Sequence, residues 1–202
     1  MDYTALQAEV ADYLHRTDLT TQIVAFIEKA RVRIGRDVRS LANLKATAVT
    51  GFTNFQAALP ADVSKIRAVY FGSFPLTPVS SQQVGDYLPI PNPTVYCIQS
   101  ALLTVPGIGT IDIVSVEYWA IPAVLLAGTD ISAGMNEWPH IWTQAALAEA
   151  CIWQRDWDTF DRTVALYTAE VEQINRACID TLEGVAPHTT SDQPMIQWIS
   201  SL

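Results

Sequence analysis

Apolar residues recur at helical spacing toward both ends of the chain and alternate with polar ones in its middle. Near the start, Leu6, Val10, Tyr13 and Leu14 fall at i, i+4, i+7 and i+8. That spacing predicts a short amphipathic helix over residues 4–15, with Thr4 as its N-cap. Arg16, Thr17 and Asp18 break it. From Thr20 to Leu41 a second stripe runs through Ile23, Phe26, Ile27, Ala30, Ile34, Val38 and Leu41. The two helices are expected to form an antiparallel hairpin. The helical period returns at residues 137–155, with Asn136 as cap and Pro139 in the first turn, where a missing N–H costs nothing. After a break at Asp156–Asp158, a fourth helix runs on to Gly184, a residue suited to the C′ position.

The middle reads differently. KATAVTGFTNFQAAL, from Lys45, is rich in Thr, Val and Phe around Gly51 and Asn54, and predicts a β-hairpin or two short strands. KIRAVYFG reads as a strand, PLTPVS as a short extended piece and SSQQVGDY as one helical turn. PIPNP at 89–93 is irregular, because proline lacks an amide donor and fixes φ. TVYCIQSALLTV predicts two short strands meeting near Gln99 and Ser100. TIDIVSVEYWA alternates, with Ile111, Ile113, Ser115, Glu117 and Trp119 on one face and Asp112, Val114, Val116 and Tyr118 on the other. Neither pair of helices can bury its stripe alone, so the two pairs must meet across this segment. The expected fold class is mainly α: a bundle of about four helices with a β-rich insertion between the helical halves and an extended C-terminal tail. One domain would span 1–183, with helices in 1–44 and 136–183 and the β insertion at 45–121; the tail would be 184–202.

Composition narrows the function classes. At 202 residues, 50% hydrophobic and 16% charged, the chain suits a folded domain with a sizeable core. Its formal net charge of −9 opposes nucleic-acid binding, which calls for a basic surface. The charge is polarised. Residues 28–45 carry six basic and two acidic residues, while 130–202 carry eleven acidic and three basic. Such polarity can steer docking on another protein, and equally suits two solvated helix faces. Three cysteines without a CxxC spacing fit neither a disulfide framework nor a zinc site. The opening MDYTALQAEV lacks a signal-peptide pattern, and no apolar run is long enough to span a bilayer. A reducing cytoplasm suits the place of synthesis.

Catalytic patterns fail on spacing. LHRTDL does not hold His-Arg-Asp in succession and reads as a turn between helices. Cys151 and His140 are eleven residues apart on one helix, about 16 Å of rise, and cannot pair there. No GxSxG elbow is present. PGIG at 106–109 reads as a hairpin turn before a phosphate cradle. Asp156, Asp158 and Asp161 lack the glycine and glutamate of a calcium loop; helix capping explains them better. Trp138, Trp142, Trp153 and Trp157 mark the third helix and its end, Trp138 and Trp142 sharing a face; they suit core or subunit-interface packing better than a ligand cage. No catalytic residue, cofactor or metal is expected, and no enzyme.

Taken in order, several segments resemble one family. YTALQAEVADYLHRTDLTTQIVAFIEKARVRIGRDVR, FQAALPADVSKIRAVYFG, PLTPVSSQQV, IDIVSVEYWAIPAVL and WPHIWTQAALAEACIWQRDWDTFDRTVALYTAEVEQIN resemble the successive motifs of phage head-to-tail connector adaptors over about residues 3–183. The PIPNP link and the tail from 185 depart from the pattern. The resemblance implies a structural virion protein at the head-tail neck, assembled in the host cytoplasm. It implies a homo-oligomeric ring, twelve-fold in that family, beneath the portal protein and above a tail or nozzle protein. Genomic DNA would pass without sequence-specific binding, and no membrane is involved. Interface candidates are Arg31, Arg33, Arg36 and Arg39 of the basic helix, Phe74, Pro75 and Leu76 of the proline-rich stretch, and the apolar chain end of Met195, Ile196, Trp198, Ile199 and Leu202. Two other classes stay open: a small hydrolase with unrecognised catalytic residues, and a DNA-binding regulatory helical protein using the basic helix.

Overall fold

The computed structural model describes residues 1–16, 18–87, 93–132 and 134–183. Its helices begin and end close to where the apolar stripes do. They are α1 (Tyr3–Tyr13), α2 (Thr20–Asp37), α3 (Pro139–Gln154) and α4 (Trp157–Glu183). Two expected caps differ. Asp2, not Thr4, caps α1, its carboxylate accepting the Ala5 N–H at 2.8 Å, while the Thr4 hydroxyl donates to the Gly128 carbonyl. Asn136 accepts from the Met1 ammonium at 2.8 Å, and α3 starts at Trp138 without a side-chain cap, with Pro139 in its first turn. Arg155 adopts a left-handed φ of 60° to close α3. The next residue, Asp156, caps α4 by accepting the Thr159 N–H, so the acidic cluster begins with a cap.

The helices meet around α3. Ala145, Ala146, Ala148 and Ala150 are fully buried there, and their small side chains let neighbouring helices approach. The helical core runs from Leu6 and Val10 through Phe26, Ile27 and Ala30 to Trp142, Tyr167, Val171 and Ile174.

Between the helical pairs lie eight strands: β1 (Leu44–Val49), β2 (Gln56–Ala58), β3 (Val63–Phe71), β4 (Phe74–Pro75), β5 (Thr77–Pro78), β6 (Val95–Gln99), β7 (Leu102–Thr104) and β8 (Val114–Ala120). They form two four-stranded sheets, ordered β1-β8-β3-β4 and β2-β7-β6-β5. Val49, Val69, Val114, Val116 and Tyr118 of the first sheet share a second core with Ala57, Tyr96 and Leu103 of the other. This corrects the expected class. The molecule is not a mainly α bundle carrying an insertion; its β region has two multi-stranded sheets and a core of its own. Several strands are two or three residues long, too short to show alternation in the sequence.

Two local readings change with it. KATAVTGFTNFQAAL gives two strands but no hairpin: β1 pairs with β8 and β2 with β7, so the chain changes sheet at Phe52, which is buried. PGIG is likewise no hairpin turn, since it lies between β7 and β8, which belong to different sheets. The link at Gln99–Ser100 is a hairpin, as β6 and β7 pair across Ser100 and Ala101 at positive φ.

The two regions join along α2. Gly35 lies so close to Ile121, just after β8, that a Cβ would sit 2.9 Å from the Ile121 Cα. Arg31 donates to the Pro122 carbonyl at 2.6 Å. The Arg39 guanidinium lies 5.6 Å from the centre of the Trp119 ring, a cation–π distance.

Candidate functional site

Arg16, Asp18 and the cysteines are engaged structurally. Arg16 and Asp18 of LHRTDL form a two-pronged ion pair at 2.6 Å in the turn between α1 and α2; the Arg16 hydrogen bond holds the Asp18 carboxyl down at about 2. Cys97, Cys151 and Cys178 are all buried and unpaired. Burial, then Asp156, pushes the Cys151 thiol up, away from a reactive thiolate. Among the described residues no three metal-ligating side chains cluster, and no helix is long and apolar enough to cross a membrane.

The four arginines of the basic helix have separate fates. Arg31 pairs with Glu28, one turn back, besides bonding Pro122; the Glu28 hydrogen bond raises its guanidinium. Arg33 reaches across to Glu149 of α3. Arg39 is half-buried on Trp119, and burial pulls its guanidinium below the ordinary arginine value. Arg36 is exposed, and no ion pair to it forms among the described residues. Partners within the chain therefore take up Arg31, Arg33 and Arg39, three of the four charges that made this segment look like a docking surface. Next to it, the Tyr167 hydroxyl donates to Asp37 at 3.0 Å, and burial is the main cause of the strong rise of that phenol.

The proline-rich stretch divides sharply. Phe74 and Pro75 form the short β4 strand, paired with the end of β3 and exposed. Leu76 is a core residue: it is buried between the sheets and its N–H donates to the Val69 carbonyl at 2.8 Å. Buried there, Leu76 presents nothing to a neighbour, unlike Phe74. Met195, Ile196, Trp198, Ile199 and Leu202 lie outside the described residues, as do Gly184 and most of PIPNP.

Other exposed apolar groups lie outside the interface candidates. Ile111 and Ile113, in the segment leading into β8, are both exposed. The alternation groups both on one face with Ser115, Glu117 and Trp119, and the two polar members of that face are the available signal. Trp153 and Trp157 are half exposed at the α3–α4 turn, Trp153 tilted against Phe26 at 6.0 Å and Trp157 edge-on to Phe160 at 5.9 Å. Helical periodicity could not separate these from Trp142, which is buried. The surface thus offers exposed aromatic and aliphatic groups of the kind that fill protein interfaces.

A family model described as SU10 adaptor protein matches residues 1–193. The match runs past residue 183, so the first part of the tail, set outside the resemblance on its motifs, falls within the family pattern. A comparison with curated proteins found no match.

Proposed function

We propose a function on one premise: the chain belongs to the SU10 adaptor protein family, a family of phage head-tail adaptors, and is a structural protein of the phage virion. On our reading, copies of the chain form a closed ring beneath the portal protein, extend its DNA channel and provide the platform on which the tail assembles. The observation that carries this is the family match over nearly the whole chain. The surfaces support it. Exposed Phe74, Ile111, Trp153 and Trp157 suit a protein that completes its burial in an assembly. A net charge of −9 suits a lumen through which DNA slides without being held.

In this reading residues 1–183 act as one unit and 184–202 as a tail that anchors on the portal or a neighbouring copy. Assembly takes place in the host cytoplasm, and the finished ring resides at the head-tail neck, twelve-fold by family resemblance. Arg36 is the member of the basic helix best placed to meet an acidic residue of a partner.

Mass photometry of the purified chain, alone and mixed with its portal protein, tests the reading. The expected result is a discrete ring mass on portal, weakened when Arg36→Glu is introduced and lost when residues 190–202 are deleted. A chain that stays monomeric with portal at both low and high salt overturns the ring. Unchanged assembly by the two variants overturns the roles given to Arg36 and the tail.

A further inference from the structure

Four strands stand at the margins of the two sheets: β1 and β4 in the first, β2 and β5 in the second. A marginal strand leaves one row of backbone N–H and C=O groups without a ladder partner. Folded chains blunt such rows with prolines, charges, bulges or brevity. Three of these four are blunted. β4 and β5 are two residues long, and each holds a proline, Pro75 and Pro78. β2 has three residues, and Gln56 at its start is turned back onto Thr53 by backbone hydrogen bonds in both directions. The stretch of β3 that β4 leaves uncovered carries Lys65 and Arg67 and two register shifts.

β1 has none of these guards. Its six residues, LKATAV, hold no proline and pair with β8 without a register shift. Its one charge, Lys45, is engaged by Asp62 at 2.6 Å. Ala46 and Ala48 are exposed, and their small side chains give the edge little cover. Among the described residues no backbone hydrogen bond reaches Lys45–Val49 from any element but β8. The far side of β1 is therefore a template for one more strand.

The sequence holds a stretch suited to that place. MIQWISSL, residues 195–202, has no charged side chain, glycine or proline, and Ile196, Trp198 and Ile199 favour extended backbone. Residues 184–194 link it to α4, and these eleven residues span up to about 36 Å at about 3.3 Å each. Pro187 and Pro194 bias the link toward an extended form. The edge of the same copy starts close to the end of α4, because Thr181 and Leu41, three residues before β1, line one groove. From there β1 runs only about 20 Å. An extended link overshoots it and matches the width of a folded chain of this size, roughly 40 Å, which is the distance to the same edge on an adjacent copy.

We propose that residues 195–202 of one copy add to the β1 edge of the next as an extra strand beside Lys45–Val49. This rests on the ring reading above and names the surface on which the tail anchors. Backbone hydrogen bonds hold the added strand, so the contact depends on the open row of β1 more than on its side chains. The strand given and the edge that receives it are different parts of the chain, so every copy gives one and takes one. Such a head-to-tail contact closes into a ring when the rotation permits.

The test uses the full chain assembled with its portal protein, with a benzoylphenylalanine photocrosslinker at position 198 and a mixture of ¹⁴N and ¹⁵N copies. Crosslinks should fall on residues 44–50 and join light to heavy copies. Amide exchange gives a second reading. Every second N–H of Lys45–Val49 points away from β8, and these should exchange about a hundredfold more slowly in the ring than in the unassembled chain, where they face water. A synthetic MIQWISSL peptide in excess should lower ring formation severalfold, and the same peptide N-methylated throughout, which cannot donate to the edge, should not. Crosslinks within one copy, to the portal or to other residues overturn the proposal, as do unchanged exchange in β1 and two peptides of equal effect. Rings that give any of these results sink the added strand alone; no ring from the native chain sinks the ring reading and the strand with it.

Discussion

The helical and β regions each bury a core, but they assemble it from different ranges of sequence. Each helix brings a complete apolar stripe, and the alanines of α3 let three such stripes converge on Trp142. The β core has no equivalent. Its strands are paired across long separations, β1 with β8 above all, and Phe52, Leu76, Val105 and Ile108 reach it from outside the strands. One region is specified locally and then packed; the other exists only once distant segments have met. Loop closure opposes the second kind of contact, so it should form late and depend on what it is attached to.

The largest expected effect tests that dependence. Trp142→Ala should cost about 3–5 kcal/mol and Leu103→Ala about 2–5 kcal/mol, since each empties a fully buried site. Both variants should lower one shared calorimetric transition, because α2 ties the regions together through Arg39–Trp119 and Arg31–Pro122. A Trp142→Ala protein whose β signals melt at the native temperature would show instead that the regions fold independently.

A smaller effect should come from the seam itself. Gly35→Ala puts a methyl 2.9 Å from a backbone atom of Ile121, and backbone cannot turn aside as a flexible side chain does. Alanine favours the helix by about 1 kcal/mol over glycine, while overpacking costs about 1–3 kcal/mol. The expected net is a loss, with faster hydrogen exchange around Ile121 and little change within α3. A stabilised variant would mean that α2 and β8 are not closely joined at this point.

The same contrast explains what was legible in the sequence. All four helices could be read, because the 3.6-residue period is contained in each segment. So could β3, β8 and the β6–β7 turn, which have enough residues to show alternation or a turn signal. The partition into two sheets could not, because no local pattern says that Leu44–Val49 and Gln56–Ala58, one loop apart, belong to opposite layers. Among the interface candidates, Phe74 and Leu76 are two residues apart in a proline-rich stretch and look equivalent. Only the crossing of the chain from one sheet to the other buries Leu76 and exposes Phe74. Arg31 and Arg33 looked free for the same reason, their bonds to Pro122 and Glu149 being made across long separations.

Acid should sharpen the comparison by the smallest margin. Asp62, just before β3, ties the start of that strand to its neighbours: its carboxylate accepts from Lys45 of β1 at 2.6 Å and from the Tyr118 hydroxyl of β8 at 3.0 Å. Partial burial pushes its carboxyl up, but those two hydrogen bonds outweigh it and the net shift is downward from 3.8. A carboxyl depressed in the folded state contributes stability that is present above its unfolded value and lost as pH falls through the folded one. Nothing should therefore change between pH 7 and 5, and the β region should weaken from about pH 4 downward. Lys45 and Asp62 are both well exposed, so the effect is at most about 1 kcal/mol. In the helical region Glu28 is also depressed, chiefly by its hydrogen bond from Arg31, but that pair spans one turn of a single helix and holds no distant segments together. Between pH 5 and 3, amide exchange should rise in β1 and β8 more than in α2, and Asp62→Asn should remove that excess. Equal acceleration in α2 and β1, or an Asp62→Asn protein as acid-sensitive in β1 as the native one, would mean that this long-range link adds nothing to the β region.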